Sequence, residues 1–388
     1  MLSNKPHQPN SLLGAVALMV GTAVGAGIFG LPYTFVKSGF FVGCAYLITL
    51  GAILLLVNLA YGEVILHTKG KHQFPAYVEK YLGKRWKLLA LFSLFIGLYG
   101  ALSAYFLEVS MLLRTILQPV LGGPDQLYLL GYVLVMAVAL YFGLRTIANA
   151  EKILMVLMLS LIVALLVIAF PQIETNNFFA SNPQNIFLPY GVVLFALAAS
   201  ASIPDMKNVL QNQRHLLKRA IVAGSLIPIV VYLCFVFSVV GITGPNTSES
   251  AVLGLGQQLG PIVLLLGSIF GIITMSTSLL MSGLVLKEIY LYDYKLPAVV
   301  AWLAVLIPPL CIVLLKFLSF IEILGLSGAL IGGVDGIIIM KMHRHVLEHS
   351  DQSSEFSITQ SRLVHWLAYA VFAGGICYEI YVVAQRVF

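Results

Sequence analysis

Backbone groups near the start of the chain are the first candidates for binding chemistry. The segment from Gly21 to Pro32 holds four glycines and a proline within twelve residues of a long apolar run. Glycine costs a helix interior about 1 kcal/mol relative to alanine, and proline costs about 3 kcal/mol. A helix interrupted there exposes N–H groups at one end and carbonyl groups at the other. Such ends can hold a small zwitterion, because the amides attract its carboxylate and the carbonyls attract its ammonium group.

The predicted substrate site combines this break with residues of later helices. The amides after the break are expected to face the carboxylate, and carbonyls from two helices are expected to face the ammonium group. The predicted substrate-binding residues are Thr22, Ala23, Gly25, Ala26, Gly27, Ile28, Tyr99, Ser103, Phe195, Ala196, Ala199 and Ser200. Tyr105 is a further candidate for the lining. The alternatives are close helix packing through the glycines and ordinary core packing of the aromatic rings.

A driving cation would need hard oxygen ligands near the same break. The carbonyls of Gly21 and Val24 and the hydroxyls of Thr277 and Ser278 are the predicted cation-binding groups, provided that the eighth span passes the break. The alternative is that these hydroxyls only bond to their own helix backbone. No cofactor is expected beyond such a sodium ion or a proton.

Acidic side chains inside apolar spans are candidates for carrying a proton, because a charge there is expensive. Glu108 and Asp335 lie deepest in the apolar runs, and either residue could bind or relay a proton. Asp335 lies in a glycine-rich patch, and pairing with lysines near the membrane surface is the alternative for it. Glu63 is expected to pair with basic loop residues, and Glu379 is expected to contact water near the outer face.

The composition is that of a polytopic membrane protein. Of 388 residues, 60% are hydrophobic and 10% are charged, whereas a soluble domain carries roughly 25% charged residues. The mean hydropathy is +0.96. The net charge of +6 does not indicate a nucleic-acid partner, because the basic residues lie in the connections between apolar runs. The lipid bilayer and a small-molecule substrate are the expected partners.

Eleven apolar runs are long enough to cross a bilayer as helices. The predicted spans are 11–36, 41–67, 88–117, 127–144, 150–170, 186–203, 219–243, 261–286, 296–315, 319–340 and 363–385. An amino terminus inside the cell leaves only four of 22 basic residues outside, namely Lys37, Arg114, Lys316 and Arg386. This bias predicts a cytoplasmic amino terminus and an external carboxyl terminus in a prokaryotic plasma membrane.

The sixth span repeats the irregularity of the first. It ends in small residues followed by Pro204, where we expect the helix nearly to stop. Interrupted spans at corresponding positions of two halves indicate an inverted repeat with the binding site between them. We therefore predict one transmembrane domain over 1–388, with repeats at 11–170 and 186–340 and an extra helix at 363–385.

These segments also resemble a known family. The sequence GTAVGAGIFGLPY over 21–33 resembles the first-span signature of the amino acid–polyamine–organocation superfamily. The likeness is strongest to its amino acid/auxin permease and tryptophan/tyrosine permease branches. The residues over 202–204 are similar to the sixth-span motif of those branches, and Thr277-Ser278 is similar to an eighth-span feature.

The resemblance implies an all-α fold of two inverted five-helix repeats with broken first and sixth helices. It also implies cation-coupled uptake of an amino acid, with the eighth span beside the first break. The small residues of the sixth span leave room for an aromatic or branched substrate. The resemblance leaves open whether sodium or protons drive transport, and what the oligomeric state is.

Other function classes find less support in the residues. An exchanger of the same fold remains open, as does a membrane-embedded sensor or enzyme. No His-Glu-x-x-His zinc motif or phosphate-binding glycine-lysine motif occurs in the sequence. A metal-ion transporter of this architecture would be expected to carry carboxylates at the first break, and the segment 21–30 has none.

The glycine at the break gives a direct test. We expect the Gly25→Leu protein to insert in the membrane but to lose binding of its substrate, because the leucine blocks the approach of the ligand to the backbone. Binding of labelled amino acid to the purified variant measures this. Wild-type affinity in the variant would contradict a substrate site at this break.

Overall fold

The computed structural model describes residues 12–142 apart from 69 and 71, 148–349 apart from 181 and 212, residue 356, and 362–387. Within these ranges the chain forms sixteen α-helices. They are α1 (Leu12–Ala23), α2 (Gly27–Ser38), α3 (Phe40–Leu66), α4 (Phe74–Leu82), α5 (Lys84–Leu121), α6 (Asp125–Phe142), α7 (Ala148–Ala169), α8 (Pro189–Leu197), α9 (Ile203–Leu210), α10 (Leu217–Thr243), α11 (Ala251–Leu259), α12 (Pro261–Glu288), α13 (Ala298–Leu315), α14 (Phe320–Gly328), α15 (Asp335–His349) and α16 (Arg362–Val387). Two π-helical segments, Ile289–Asp293 and Ala329–Val334, extend α12 and join α14 to α15.

The long apolar helices are those of a protein that spans a membrane. Among the described residues, eight helices are long and apolar enough to cross a bilayer, or nine when α1 and α2 count as one bent span. The predicted fifth and eleventh spans correspond to α7 and α16, which this count does not include. Of the basic residues used for the orientation, Lys5, Lys69, Lys71 and Arg145 lie outside the described residues. We use "inner" for the side where α1 begins, as the charge bias predicts.

The first break lies where the glycines predict it. Helix α1 ends at Ala23, α2 begins at Gly27, and the axes of the two helices differ by 55°. The amide of Val24 still donates to the carbonyl of Val20 at 2.9 Å, so the last turn of α1 is closed. The break is therefore confined to three residues, Val24 to Ala26.

The second break lies earlier in the chain than the proline predicts. Helix α8 ends at Leu197, Ala198 takes an extended backbone, and a 3₁₀ turn over Ser200–Ser202 leads into α9. Pro204 lies in the first turn of α9, where its missing N–H costs nothing. The expectation that the helix nearly stops at Pro204 was therefore wrong, because this proline starts the second half of the span. We call α8, the turn and α9 together span six.

The two breaks are packed against each other at the centre of the molecule. Helix α1 packs on α9 and α10, and α2 packs on α8 and α10. A Cβ atom added to Gly27 would lie 2.6 Å from the Cα of Ala196, which is closer than real Cβ contacts allow. The start of α2 thus rests directly on the backbone of α8, and at this position close packing through a small residue does occur.

Helix α16 packs on the core through α14, α15 and the π-helical segment before α15. Its Glu379 is 7% exposed, and its carboxylate accepts a hydrogen bond from the backbone of Gly191 in the first turn of α8. The expectation that Glu379 contacts water was wrong. The unbonded amides at the start of α8 explain its burial, since a carboxylate is a favourable partner for them.

The contact between Gly27 and Ala196 yields a prediction about stability. A Gly27→Ala change should lower the melting temperature of the purified protein, because two backbones must separate to admit the methyl group. Gly131 is the matched control, since a Cβ atom there meets nothing within 4 Å. Gly131→Ala should leave stability unchanged or raise it slightly, by up to about 1 kcal/mol. Equal melting temperatures for the two variants would contradict the packing.

Candidate functional site

A cavity of about 280 Å³ lies beside the first break. It is enclosed by the end of α1, by α5, α7 and α12, and by the inner half of span six. Its lining consists of Leu18, Val20, Gly21, Thr22, Val24, Leu94, Leu98, Tyr105, Met158, Ala201, Ser202, Asp205, Thr274, Thr277, Ser278, Met281, Ser282 and Val285. Polar groups from both interrupted spans therefore border one space, which we call the central cavity.

The central cavity is reached from the inner side. Thr22, Ala201 and Asp205 on its inner part are exposed, whereas the segment from Val24 to Gly30 is buried. On the outer side of the break, α2 and α8 are in backbone contact at Gly27. The cavity thus ends at the break and widens towards the inner half of the protein.

Tyr105 of α5 is placed to add a hydroxyl to the break. Its Oη lies 3.1 Å from where a Cβ of Gly25 would be, and its hydroxyl bonds to the side chain of Ser278. The missing side chain at Gly25 is what lets the tyrosine hydroxyl come so close to the backbone. A hydroxyl and the first amides of α2 can together donate to a carboxylate at this point.

Tyr232 of α10 bridges the two interrupted spans. Its buried hydroxyl donates to the carbonyl of Ala23 at 2.9 Å and to the carbonyl of Ala196 at 2.8 Å. One proton is shared between these two acceptors. Ala23 and Ala196 were predicted as acceptors for a substrate ammonium group, but the structure gives their carbonyls this internal donor.

The predicted cation ligands come together in the lining of the central cavity. Gly21 near the end of α1, Val24 in the first break, and Thr277 and Ser278 of α12 all border it, because α12 passes the first break. Thr277 also donates its hydroxyl to the carbonyl of Thr274 at 2.8 Å. A donating hydroxyl keeps its lone pairs, so this bond leaves both roles available to Thr277.

Tyr99 and Ser103 do not border the central cavity. The hydroxyl of Tyr99 lies 2.5 Å from that of Tyr290 and donates to the carbonyl of Ala304 at 2.8 Å. Ser103 donates to the carbonyl of Tyr99 at 2.8 Å. Both side chains face α13 and the π-helical end of α12, whereas Leu98 and Tyr105 of the same helix face the cavity. Tyr99 and Ser103 were therefore predicted on a face of α5 that lies away from the central cavity, whereas the further candidate Tyr105 borders it.

The remaining predicted residues lie behind the break or beyond it. Ala26, Gly27 and Phe195 are buried without bordering the central cavity, and Ile28 borders a separate apolar cavity of about 160 Å³. The residues Ala199–Ser200 border a much smaller space, of about 10 Å³, together with Asp335. The central cavity thus holds the first break and the inner half of span six but not the whole predicted set.

Glu108 connects the core to the external connection before α11. Its carboxyl accepts a hydrogen bond from the hydroxyl of Ser250, which immediately precedes α11, and the other carboxyl oxygen has no partner. Both side chains are fully buried. The segment 244–260 is therefore bonded to α5 in this conformation.

Sequence reasoning missed Tyr232, which bridges the two breaks, and Met158, which borders the central cavity. A tyrosine within an apolar span was a usable signal, because a buried hydroxyl needs a partner. Nothing local, however, indicates which residue of another helix supplies that partner.

An all-helical membrane protein in which two interrupted helices meet beside a cavity has the architecture of a secondary transporter. The model of the tryptophan/tyrosine permease family matches residues 8–380. This chain therefore belongs to the tryptophan/tyrosine permease family, a family of permeases and not of enzymes. The predicted likeness to the aromatic amino acid permease branch is confirmed.

Individual relatives are distant. Tyrosine-specific transport system 1 of Haemophilus influenzae is 25% identical over 239 residues, which are 61% of this chain and 59% of that protein. The tryptophan-specific transport protein of Pseudomonas aeruginosa is 24% identical over 66% of this chain and 64% of its own length. Glutamine transporter 2 of Aliivibrio fischeri is 22% identical over 59% and 61%. Each of these matches covers less than two thirds of the relative.

The fold also has a solved counterpart. The crystal structure of MhsT in complex with L-phenylalanine aligns with a TM-score of 0.63, over 99% of this chain and 100% of that one, at 15% identity. The predicted fold class is confirmed by this likeness, although the count of eleven spans is not.

The bridge made by Tyr232 generates a prediction. Tyr232→Phe removes the donor from two buried carbonyls, and a buried group left unsatisfied costs about 1–3 kcal/mol. We expect a lower melting temperature and weaker binding of substrate. Tyr292→Phe, at a side chain that is 72% exposed, is the control and should change neither property. Unchanged stability and affinity in Tyr232→Phe would contradict the bridging role.

Proposed function

We propose that this protein imports an amino acid across a bacterial plasma membrane, by symport with a cation and by alternating access. The observation that carries the proposal is the meeting of two interrupted helices at a cavity that is accessible from one side. The family supports the class of activity. Relatives that are specific for tyrosine or tryptophan point to one of these as the substrate, and glutamine is the second candidate because one relative at similar identity is a glutamine transporter.

The substrate carboxylate would bind at the first break beside Tyr105, and the amides at the start of α2, which do not border the central cavity in this conformation, would have to come within reach of it. The amides of Ala26, Gly27 and Ile28 open that helix, and Tyr105 adds a hydroxyl beside Gly25. A helix amino terminus favours an anion by about 0.3–1 kcal/mol, and by up to about 2 kcal/mol when partly buried. Several such donors in a site shielded from water are enough to orient a carboxylate.

The substrate ammonium group would lie towards the inner half of span six. The carbonyl of Thr22 is the first acceptor at the end of α1, and Asp205 contributes a carboxylate to the same cavity. Ala23 and Ala196 share the donor of Tyr232 and so contribute less. A zwitterion held this way touches both interrupted spans, so its binding can change their relative position.

The coupling cation could use either of two places. Sodium would bind among the carbonyls of Gly21 and Val24 and the hydroxyls of Thr277 and Ser278, whereas a proton would bind a buried carboxyl. One charge moving through 100 mV supplies about 2.3 kcal/mol, which is about 40-fold accumulation. A single coupled cation is therefore sufficient for concentrative uptake, and an exchanger would need none.

Counterflow tests the proposal. Proteoliposomes loaded with unlabelled tyrosine should take up external labelled tyrosine, and external tryptophan should compete for entry. Gly131→Ala is the active control, and liposomes without protein give the background. Imposed pH and sodium gradients then separate symport from exchange, since an exchanger responds to neither.

Absence of counterflow with tyrosine, tryptophan and glutamine would contradict amino acid transport. Competition by glutamine alone would move the substrate class from aromatic amino acids to amides while leaving the transport proposal intact.

A further inference from the structure

We propose that Asp335 carries the coupling proton, and that span six controls the contact of this carboxyl with water. This inference rests on the proposed function, because it names the ion that drives the same transport cycle. The observations behind it are the position of Asp335 beside the second break and the hydrogen-bond and ion-pair surroundings of its carboxyl group.

Asp335 lies inside the helix bundle. The side chain is 7% exposed, and its Oδ1 atom has no hydrogen-bond partner. The hydroxyl of Ser93, on α5, lies near the carboxyl but donates its own proton to the carbonyl of Leu330 at 2.9 Å. Asp335 belongs to none of the ion pairs found among the described residues. The predicted alternative, in which Asp335 pairs with lysines near the surface, therefore does not occur in this conformation.

The space around the carboxyl is formed by the second break. Asp335 borders a cavity of about 10 Å³ together with Asn58, Gly332 and the break residues Ala199 and Ser200. A cavity needs about 10–15 Å³ of such volume to hold one water molecule, so little or no water fits here. A small shift of the break away from α15 would open this space to more water.

Span six and the segment before Asp335 are in close contact. A Cβ atom on Gly332 would lie 3.0 Å from the Cβ of Leu194, and one on Gly328 would lie 2.0 Å from the carbonyl oxygen of Gly191. The π-helical segment Ala329–Val334 thus rests on α8 with almost no space between the backbones. Movement of α8 must therefore move the walls of the carboxyl cavity.

The groups that face Asp335 do not supply a positive charge to pair with its carboxylate. From α3, the nearby titratable group is the hydroxyl of Tyr61, which is buried without a hydrogen-bond partner. From α5 the facing group is Ser93, and from α16 it is the ring of Phe372, which packs on Gly336. Span six presents only its alanines, leucine and Ser200 to the cavity.

The basic residues of α15 itself are used elsewhere. Lys341 lies over the ring of Trp86 at 4.2 Å, and Arg344 pairs with Glu348 at 2.8 Å. His343 is 3.0 Å from Glu63 of α3, more than two turns beyond Asp335. From α4, the facing titratable group is Tyr81, whose ring packs on His345 further along α15. None of these groups neutralises an ionised Asp335.

An ionised carboxylate in such a place is costly because it is neither hydrated nor paired. The carboxyl is therefore protonated while span six covers it, and it ionises when the break moves away and water enters. Substrate binding at the breaks and protonation at Asp335 then act on the same moving element.

The other buried acids have different positions. Glu379 bonds to the backbone of Gly191, Glu63 pairs with His343, and Glu108 bonds to Ser250 before α11. Among the acidic side chains buried in the described part of the chain, Asp335 is the one that borders a break. Glu108 retains one unpartnered oxygen and is therefore the rival that the experiment must test.

The test compares Asp335→Asn with Glu108→Gln in proteoliposomes. In wild type, a pH gradient of one unit, acidic outside, can drive about tenfold accumulation of labelled substrate per coupled proton. With Asp335→Asn, the pH gradient should produce no accumulation, so that the ratio of internal to external substrate stays at about 1. Its counterflow at equal pH should stay within about twofold of the wild-type rate. Glu108→Gln should keep the response to the gradient. Asp125→Asn, at an exposed carboxyl, controls for the chemical change.

Three results would overturn the inference while leaving amino acid transport in place. One is full proton-driven accumulation by Asp335→Asn, and another is loss of proton-driven accumulation in Glu108→Gln instead. The third is wild-type uptake that is driven by sodium and not by protons. If the Asp335→Asn protein loses counterflow as well, its melting temperature shows whether it is folded, and the Asp335→Glu variant is then tested for proton-driven uptake. A folded Asp335→Asn protein without counterflow also overturns the inference, and so does a folded Asp335→Glu protein without proton-driven uptake. Absence of counterflow in wild type would instead refute the proposed function.

Discussion

The contact between the two interrupted helices is the constraint on which the rest of the site depends. Gly27 lets the start of α2 rest on the backbone of α8, and Tyr232 joins the carbonyls of Ala23 and Ala196 with one hydroxyl. In a bilayer each unsatisfied peptide group costs several kcal/mol, so an interrupted helix survives only where protein or water satisfies it. The contact between the two interrupted helices meets this condition and still leaves polar groups facing the central cavity.

Buried carboxylates hold the elements around this contact. Glu379 caps the first turn of α8 from α16, and Glu108 holds Ser250 at the start of α11. The first contact joins α16 to span six, and the second joins α5 to the segment before α11. Helix α16, expected from the sequence as an appendage, is thus part of the support of span six.

Much of the fold could be predicted because its signals are local. The glycines at 21–30 located the first break to within a residue or two, and the amphipathic segment 74–82 is the helix α4. The second break was placed wrongly because a proline has two readings. It disfavours helix in the residues before it, and it also fits well in the first turn of a new helix, which is the role of Pro204 here. Tyr99 and Tyr105 were both candidates for the lining, and the sequence could not separate them, since they differ only in what the distant helices α12 and α13 offer them. The hydroxyl of Tyr232 reaches the carbonyl of Ala23, 209 positions earlier in the chain, and this contact has no local signature.

The central claim is that the cavity between the interrupted spans is the substrate site, open to the inner side in this conformation. Accessibility of a cysteine at position 201 tests it most directly, in a protein whose four native cysteines have been replaced. Ala201 borders the cavity and is exposed, and Val120, which is 82% exposed, serves as the reference position. The account predicts that a membrane-impermeant maleimide labels position 201 from the inner side only, and that substrate slows this labelling while leaving position 120 unaffected. Labelling of position 201 from the outer side, or at a rate that substrate does not change, would contradict the account.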